Sequence, residues 1–363
     1  MIPRVSRLTG AEGVFAVIAL ALNAKAALAC STPPPPVRDL NVPNFSKARL
    51  DPKLQVITAV ELKPLNGYLD FVTSEADRSL TAPTDTARAD AGRCAGEWLA
   101  AWAEGEAWLG RMATRQSEYR RKWDLAGLAI AYLKIKPRLT SEQRASIEPW
   151  LDRIATAARA FFDDDGRQRN NHWYWLGLGL AATGLATGDE RHWAEARRIM
   201  ADAANDIRAD GTLPLELARG SRALHYHAFS ATPLVVLAEM GAARGEDWYG
   251  LGDGALHRLI GLTVAGLRNP ALFARLAGQP QESSQSAHIR SLPLYHQRFP
   301  GPNLLEGMPK MSTKHHRLGG DVLLLRGLLA SEPTAGEPLA MSTAAVGAGG
   351  GTAGKSETPK KTK

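Results

Sequence analysis

The chain has 363 residues, of which 44% are hydrophobic and 7% aromatic, so it is long enough to bury a full-sized core. Its net charge is +7, of which +4 belongs to residues 30–330, a mildly basic balance that is compatible with a polyanionic ligand. No dense basic run with interleaved aromatic residues occurs, so we expect no nucleic-acid partner.

Residues 1–29 are predicted to be an export signal. A basic start precedes the apolar run 14–22, and Ala27-Leu28-Ala29 places small residues directly before Cys30. This run is shorter than the ~20 residues that a membrane span needs, and no other uncharged stretch is long enough, so we expect no membrane span. We therefore expect the mature protein in a bacterial periplasm.

Cys30 and Cys94 are the two cysteines of the chain. An oxidising compartment would let them form a disulfide between the new N-terminus and a helix. Such a bridge would restrict the unfolded chain by about 4 kcal/mol in the chain-entropy account. The alternative is a lipoprotein, in which Cys30 is the acylated first residue and Cys94 is left unpaired.

The pattern after the signal begins with an extended segment and then becomes helical. Residues 30–43 are rich in proline, which predicts extended backbone. Residues 54–62 are apolar with an ambiguous period, and Pro64 is expected to close this segment. From Leu65 onward, apolar residues recur at three- and four-residue spacing, which indicates helices.

The middle of the chain predicts successive helices with short connections. A nearly all-apolar helix is expected over 123–133, and Thr140 and Gln143 have capping-box spacing for the next helix, which Pro149 should kink or split. Further helices are expected at 172–186, 190–207, 222–244 and 251–267. Residues 30–330 thus form one all-α domain of antiparallel hairpins, as a bundle, a solenoid or a closed α/α toroid. Residues 331–363 are predicted to be a disordered, low-complexity tail.

Two polar clusters are the candidate functional residues. Residues 219–227 carry two arginines, two histidines and a tyrosine, and residues 170–175 read Asn-Asn-His-Trp-Tyr-Trp. On a helix, Arg219, Arg222 and His225 would share one face, with Tyr226 one turn beyond Arg222. The alternatives are an exposed basic face for the first cluster and simple helix capping for the second.

Other chemistries lack their motifs. His225 and His227 are two apart and would point to different sides of a helix, and no His-Glu-x-x-His or paired-cysteine spacing occurs, so we expect no metal. No Gly-rich phosphate loop and no Gly-x-Ser-x-Gly elbow occurs, so we expect no cofactor. The run Asp163-Asp164-Asp165 is more typical of a solvated loop than of a glycosidase carboxylate pair.

Taken together, the motifs Asn170-Asn171-His172-x-Tyr174-Trp175, Leu213-Pro214-x-Glu216-Leu217 and Arg219-x-x-Arg222-Ala223-Leu224-x-Tyr226-His227 resemble the periplasmic alginate lyases, the poly(β-D-mannuronate) lyases of polysaccharide lyase family 5. Weaker matches are Phe45-Ser46-Lys47, the cysteine pair, and Arg317-Leu318-Gly319-Gly320. The resemblance implies an α/α toroid with a deep groove, no metal, and β-elimination that leaves a 4,5-unsaturated uronate end. We expect a monomer acting on an anionic polysaccharide.

The resemblance also implies roles for individual residues. Asn171 and Arg219 would hold and neutralise the C6 carboxylate, His172 would assist as base or electrostatic partner, and Tyr226 would be the acid/base. The expected substrate-binding residues are Lys47, Trp175 and Arg317. A nearby Arg219 and a protonatable histidine would favour the phenolate of Tyr226. Open alternatives are a lyase for another polyuronate such as glucuronan, and a non-catalytic protein that binds a polyuronate.

Overall fold

The computed structural model describes residues 30–44, 51–163, 169–282, 288–301, 303–308 and 312–331. The predicted export signal 1–29, the predicted tail beyond Ser331, and Lys47 lie outside the described residues. In chain order, the α-helices are α1 (Pro52–Thr81), α2 (Asp85–Glu104), α3 (Arg115–Ile135), α4 (Ser141–Asp163), α5 (Asn171–Thr187), α6 (Glu190–Asp206), α7 (Pro214–Leu217), α8 (Ala223–Ala243), α9 (Leu251–Arg268), α10 (Ala271–Ala277), α11 (Leu292–Arg298) and α12 (Leu323–Ser331).

The helices form two layers, and the sequence pattern of each helix explains its layer. Helices α3, α5 and α8 are buried on nearly all sides. This is expected of α5 and α8, which are apolar all round, whereas α3 also buries charged residues in its first half. Helices α2, α4, α6 and α9 bury one apolar stripe and expose the rest. Helix α5 packs against α3, α4, α6 and α8, so the inner helices contact one another and the outer helices cover them.

Strands are scarce in the described part of the chain, as the sequence predicts. The strands β1 (Lys314–His315) and β2 (Gly320–Asp321) pair antiparallel, with Lys314 opposite Asp321 and His315 opposite Gly320. The 3-10 turn His316–Leu318 connects them and packs against α3. This small hairpin is the element that carries Arg317 to the inner helices.

Several predicted elements are confirmed. The helices expected at 172–186, 190–207, 222–244 and 251–267 correspond to α5, α6, α8 and α9 within one residue at either end, although α9 contains a kink at residues 252–254, whose backbone is left-handed. The capping box before α4 is reciprocal, since Thr140 N donates to Gln143 Oε1 at 3.0 Å and Gln143 N donates to Thr140 Oγ1 at 3.2 Å. The described segment 30–44 is extended, as its prolines predict.

Pro64 does not close its segment and Pro149 does not split its helix, so these two expectations are wrong. Helix α1 runs through Pro64, and α4 runs through Pro149. A proline removes the hydrogen bond to the carbonyl four residues earlier, which belongs here to Val60 and Ala145. Both residues are exposed, so water can satisfy the two carbonyls and the helices continue.

A disulfide joins Cys30 and Cys94, whose Cα atoms are 5.3 Å apart, so the predicted pairing is confirmed. Both cysteines are therefore used, and no free thiol remains at Cys30 for acylation. The segment that follows Cys30 is held on α2 because Trp98 Nε1 donates to the Ser31 carbonyl at 2.7 Å and Trp102 Nε1 donates to the Pro34 carbonyl at 2.8 Å. Among the described residues, no helix is both long and apolar enough to cross a bilayer.

Candidate active site

Tyr226 lies in the first turn of α8, and two guanidinium groups cover its ring. Arg219 Cζ is 3.8 Å and Arg222 Cζ is 4.8 Å from the ring centre. Cations over an aromatic face interact favourably with the negative potential of the ring. Tyr226 is half-buried and Arg219 is exposed, so the pair lies where solvent or a ligand can reach it.

The expected single helical face of Arg219, Arg222 and His225 is wrong. Helix α8 begins only at Ala223, and Gly220 interrupts the chain with a φ of +60° in the left-handed region. The left-handed φ favours glycine, and a Cβ at this position would also require the end of the Gln279 side chain to shift, since Oε1 would lie 2.6 Å away. The turn, rather than helical spacing, folds Arg219 back over Tyr226.

Asn171 is the first residue of α5 and is completely buried. Its backbone N–H and its Nδ2–H both donate to the same oxygen, Glu216 Oε1, at 2.7 and 2.8 Å. Asn171 Oδ1 and Glu216 Oε2 are also buried and have no hydrogen-bond partner among the described residues. Helix α7 therefore holds the start of α5 through one carboxylate.

His172 follows Asn171, is stacked on the Tyr119 ring of α3 and lies at an angle to the Trp123 ring of the same helix. Its ring lies 3.6 Å from the ring of Tyr119, with an angle of 16° between the planes, and 5.5 Å from the ring of Trp123. Burial, followed by the positive charges of Lys122, Arg219 and Arg317, holds the pKa of His172 well below its ordinary 6.5. The imidazole is therefore neutral at neutral pH, and the positive charges that contact the Tyr226 ring are those of Arg219 and Arg222.

Lys122, His172, Arg317 and the rings of Tyr119 and Trp123 together form what we call the cleft floor. Lys122 Nζ lies 4.1 Å from the Trp123 ring centre and Arg317 Cζ lies 4.3 Å from it. Lys122 Nζ and Arg317 Nε are buried and lack a hydrogen-bond partner among the described residues. Burial lowers the pKa of Lys122 well below its ordinary value and that of Arg317 to about 9.

The β1–β2 hairpin positions Arg317 through close contact with α3. A Cβ on Gly127 would lie 1.9 Å from the His316 carbonyl oxygen, so only glycine permits this approach. From the same helix, Lys134 Nζ donates to Asp77 Oδ1 at 2.6 Å, to the Gly319 carbonyl at 2.7 Å and to the Asp321 carbonyl at 3.0 Å. The hairpin is thereby fixed on both its turn and its second strand.

A cavity of about 160 Å³ adjoins the cleft floor. It is lined by aromatic and cationic side chains together with a threonine and a leucine: Trp175, His225, Phe229, Thr232, His288, Arg290, His315, Arg317 and Leu318. Trp175 is 3% exposed and donates from Nε1 to the Phe229 carbonyl at 3.1 Å, so it presents one edge rather than an open face. Trp173 instead packs between Arg159 and Arg198 and donates to Asp202.

The sequence profile of the alginate lyase family matches residues 56–273. A polysaccharide lyase of Stenotrophomonas maltophilia is 38% identical to this chain over 314 residues, which cover 84% of the chain and 93% of that protein. This chain belongs to the alginate lyase family. An alginate lyase of Azotobacter vinelandii is 35% identical over 242 residues, 63% of the chain and 65% of that protein.

Solved structures of an alginate lyase share the fold. Alginate lyase A1-III from Sphingomonas species A1 superposes with a TM-score of 0.69 and 22% identity, covering 84% of this chain and 86% of that one. A histidine-to-alanine variant of alginate lyase A1-III complexed with a tetrasaccharide has a TM-score of 0.70 at the same identity and coverage. The predicted α/α toroid is confirmed by this likeness.

In this member of the alginate lyase family, the predicted site residues are distributed over one connected region. Arg219 contacts Tyr226, and its charge acts on both His172 and Glu216, the residue that binds Asn171. Arg317 contacts Trp123, which in turn packs against His172. Lys47, the remaining predicted binding residue, lies outside the described residues.

Sequence reasoning missed that Lys122, Tyr119 and Glu216 lie next to predicted site residues. Helix α3 was expected over 123–133 only, whereas it begins at Arg115 and so includes both Tyr119 and Lys122. The available signal was a basic run that leads directly into an all-apolar helix. A charged residue in such a position has no solvated face and is a candidate for a site.

Proposed function

We propose that this chain is a lyase that cleaves mannuronate-rich alginate by β-elimination and leaves 4,5-unsaturated uronate ends. The observation that carries the proposal is the phenol of Tyr226, covered by two guanidiniums, together with a cleft floor in which Lys122 Nζ and Arg317 Nε are buried without a hydrogen-bond partner among the described residues. Buried charges without partners are costly and are typical of sites that bind the opposite charge. A polyuronate supplies one carboxylate on every sugar.

The reaction needs a base near C5 and a positive environment for the C6 carboxylate. Tyr226, as the phenolate, removes the C5 proton, and the electron pair of the C5–H bond forms the C4–C5 double bond as the C4–O4 bond breaks. The leaving O4 then takes a proton from the Tyr226 hydroxyl. In mannuronate, H5 and O4 lie on the same face of the ring, so one residue can serve both steps.

Arg219 and Asn171 are assigned to the substrate carboxylate. Donors that are placed before the reaction stabilise the charge that develops on the carboxylate as C5 loses its proton. Because Asn171 has no exposed surface, its contact with the carboxylate requires side chains at the cleft to shift when the polymer enters. His172 supports this region as a neutral group, and Lys47, Trp175 and Arg317 are assigned to polymer binding.

The test is the ultraviolet absorbance of unsaturated ends, measured with polymannuronate, polyguluronate and glucuronan. We expect the fastest rise with polymannuronate. A faster rise with glucuronan would move the assignment to that polyuronate. Polymer binding without any rise would support the non-catalytic alternative.

Tyr226→Phe removes only the hydroxyl, and we expect kcat to fall at least ~1,000-fold because both proton transfers are lost. The matched control is Tyr132→Phe in α3, whose hydroxyl donates to Glu148 and which lies outside the proposed site. The control should keep the wild-type kcat. Full activity of the Tyr226→Phe variant would rule out the assigned acid/base.

We also propose that residues 1–29 export the protein to the periplasm, where it acts as a monomer. The Cys30–Cys94 disulfide supports export, because such bonds persist in oxidising compartments. Cell fractionation of the full chain and of a chain without residues 1–29 tests the location. Light scattering on the purified protein tests the oligomeric state.

A further inference from the structure

Glu216 makes an unusual connection between two segments that carry the proposed active site. It lies in the four-residue helix α7, only 1% of its surface is exposed, and one of its oxygens accepts both N–H donors of Asn171. The backbone donor is one of the N–H groups that the first turn of a helix leaves unpaired. The same carboxylate therefore caps α5 and binds the side chain of its first residue.

This contact decides which end of the Asn171 amide faces the carboxylate. An ionised carboxylate only accepts hydrogen bonds, so the Nδ2 end must face Glu216 and Oδ1 must point elsewhere. Asn171 Oδ1 has no hydrogen-bond partner among the described residues. Nδ2 carries two hydrogens, and the bond to Glu216 uses only one of them. With Glu216 removed, the amide could rotate and exchange its donor and acceptor ends.

Burial and the neighbouring polar groups shift the pKa of Glu216 in opposite directions. Burial raises the pKa of the carboxyl, while the two Asn171 donors and the charge of Arg219 lower it. Arg219 is the residue that covers the Tyr226 ring. Glu216 thus contacts both residues assigned to the substrate carboxylate: its side chain binds Asn171, and its backbone carbonyl accepts the Arg219 N–H at 3.1 Å.

We propose that Glu216 is a positioning residue that orients the Asn171 amide toward the uronate carboxylate during β-elimination. This rests on the proposed lyase function. Glu216 does not touch the polymer, and its effect passes through Asn171. It should therefore alter the transition state more than the binding of the polymer, so kcat should change and KM should not.

The deciding experiment compares Glu216→Gln with Glu216→Met. Both side chains are neutral and close to glutamate in length, but only glutamine keeps an oxygen that accepts the two Asn171 donors. We expect Glu216→Met to lower kcat about 100-fold with KM within about twofold, by analogy with the loss of one transition-state donor. Glu216→Gln should keep kcat within about tenfold of wild type. Equal losses in the two variants would overturn the inference.

A double-mutant cycle with Asn171→Ala separates positioning from a general structural effect. If Glu216 acts only through Asn171, the variant with both Glu216→Met and Asn171→Ala should have the kcat of Asn171→Ala alone. Losses that multiply would show that Glu216 acts independently of Asn171 and would overturn the inference.

Glu239→Met is the matched control, because Glu239 is also a buried glutamate. It lies near the end of α8, whereas Tyr226 lies near its start. It should lower the melting temperature without changing kcat per folded enzyme. The wild-type assay is run first, so an inactive wild type refutes the proposed function. An active wild type with a fully active Glu216→Met variant refutes only the role of Glu216.

Discussion

The cleft floor and the opposite end of α8 hold buried charge in contrasting ways. We call Glu239, Tyr249 and Arg298 the far corner, about 20 Å along α8 from Tyr226. There Arg298 donates from Nε and Nη2 to the two oxygens of Glu239, at 2.6 and 2.9 Å, and the Tyr249 hydroxyl adds a bond at 2.9 Å. On the cleft floor, Lys122 Nζ and Arg317 Nε have no hydrogen-bond partner among the described residues.

The pKa shifts follow the same division. The hydrogen bond with Glu239 raises the pKa of Arg298, whereas burial lowers the pKa values of Lys122 and Arg317. Removing one partner of a buried ion pair destabilises a fold because the other charge is left uncompensated, and a buried charge that has no partner already carries this cost. Residues that cost stability are retained where function uses them. The charges of the far corner are therefore compensated within the fold, and this contrast supports the proposal that the cleft floor binds an anion.

Among the tests that compare these two regions, the largest expected effect is on the cleft floor. Arg317→Met removes a cation that faces the cavity, and we expect kcat/KM on polymannuronate to fall about 100-fold with the melting temperature unchanged or higher. Arg275→Met, an exposed arginine of α10, is the control and should keep wild-type kinetics. Unchanged kcat/KM in Arg317→Met would remove the cleft floor from polymer binding.

The far corner should show the reverse behaviour. Arg298→Met leaves the Glu239 carboxylate buried without its ion-pair partner, and we expect the free energy of unfolding to fall by about 3 kcal/mol with kcat unchanged. Urea unfolding and the absorbance assay measure the two quantities. Adding Glu239→Gln should restore part of the stability, because the uncompensated charge is then gone. A loss of kcat in the single variant would break the distinction between the two regions.

His227 allows a test by pH. Its Nε2 accepts the Leu213 N–H at 2.9 Å and its Nδ1–H donates to the Ala223 carbonyl at 2.8 Å, and burial lowers its pKa to about 4. As the pH falls, His227 therefore takes up its proton in the unfolded chain at about pH 6.5 but in the folded protein only at about pH 4. The free energy of unfolding should fall over this pH range, and the contribution of His227 to the fall is roughly 3 kcal/mol.

The measurement is the free energy of unfolding against pH for wild type and His227→Gln. Because His172 and His315 also have lowered pKa values, the effect of His227 is the difference between the two curves. A glutamine oxygen can still accept the Leu213 N–H, so the variant should fold. Parallel curves would show that His227 does not contribute to the acid sensitivity.

The smallest expected effect is a gain of stability. Lys122→Met replaces a fully buried amine with an apolar side chain of similar length, and we expect the free energy of unfolding to rise by about 1–2 kcal/mol at pH 7. Because the pKa of Lys122 is lowered by folding, the unfolded chain holds its proton more tightly, so the gain should shrink as pH rises toward 10.5. A loss of stability would show that the contact with Trp123 outweighs desolvation.

The helical architecture was predictable because it depends on local patterns. Apolar spacing placed α5, α6, α8 and α9 within one residue, and the capping box placed the start of α4. Family motifs also named Asn171, His172, Arg219 and Tyr226 as site residues. The two prolines misled the prediction because a pattern does not reveal that water can reach the carbonyls of Val60 and Ala145.

The sequence by itself determined the fold class, the order of the helices and the residues from which a site is built, since these follow from apolar periodicity and short motifs. Only the tertiary structure decided that Gly220 turns Arg219 onto Tyr226 and that Glu216 binds Asn171. It also decided that Lys122 is buried under the cleft. The physical reason is that the burial of a charged group and its hydrogen-bond partners come from segments that are distant along the chain. Burial and partners together set the charge state of the group.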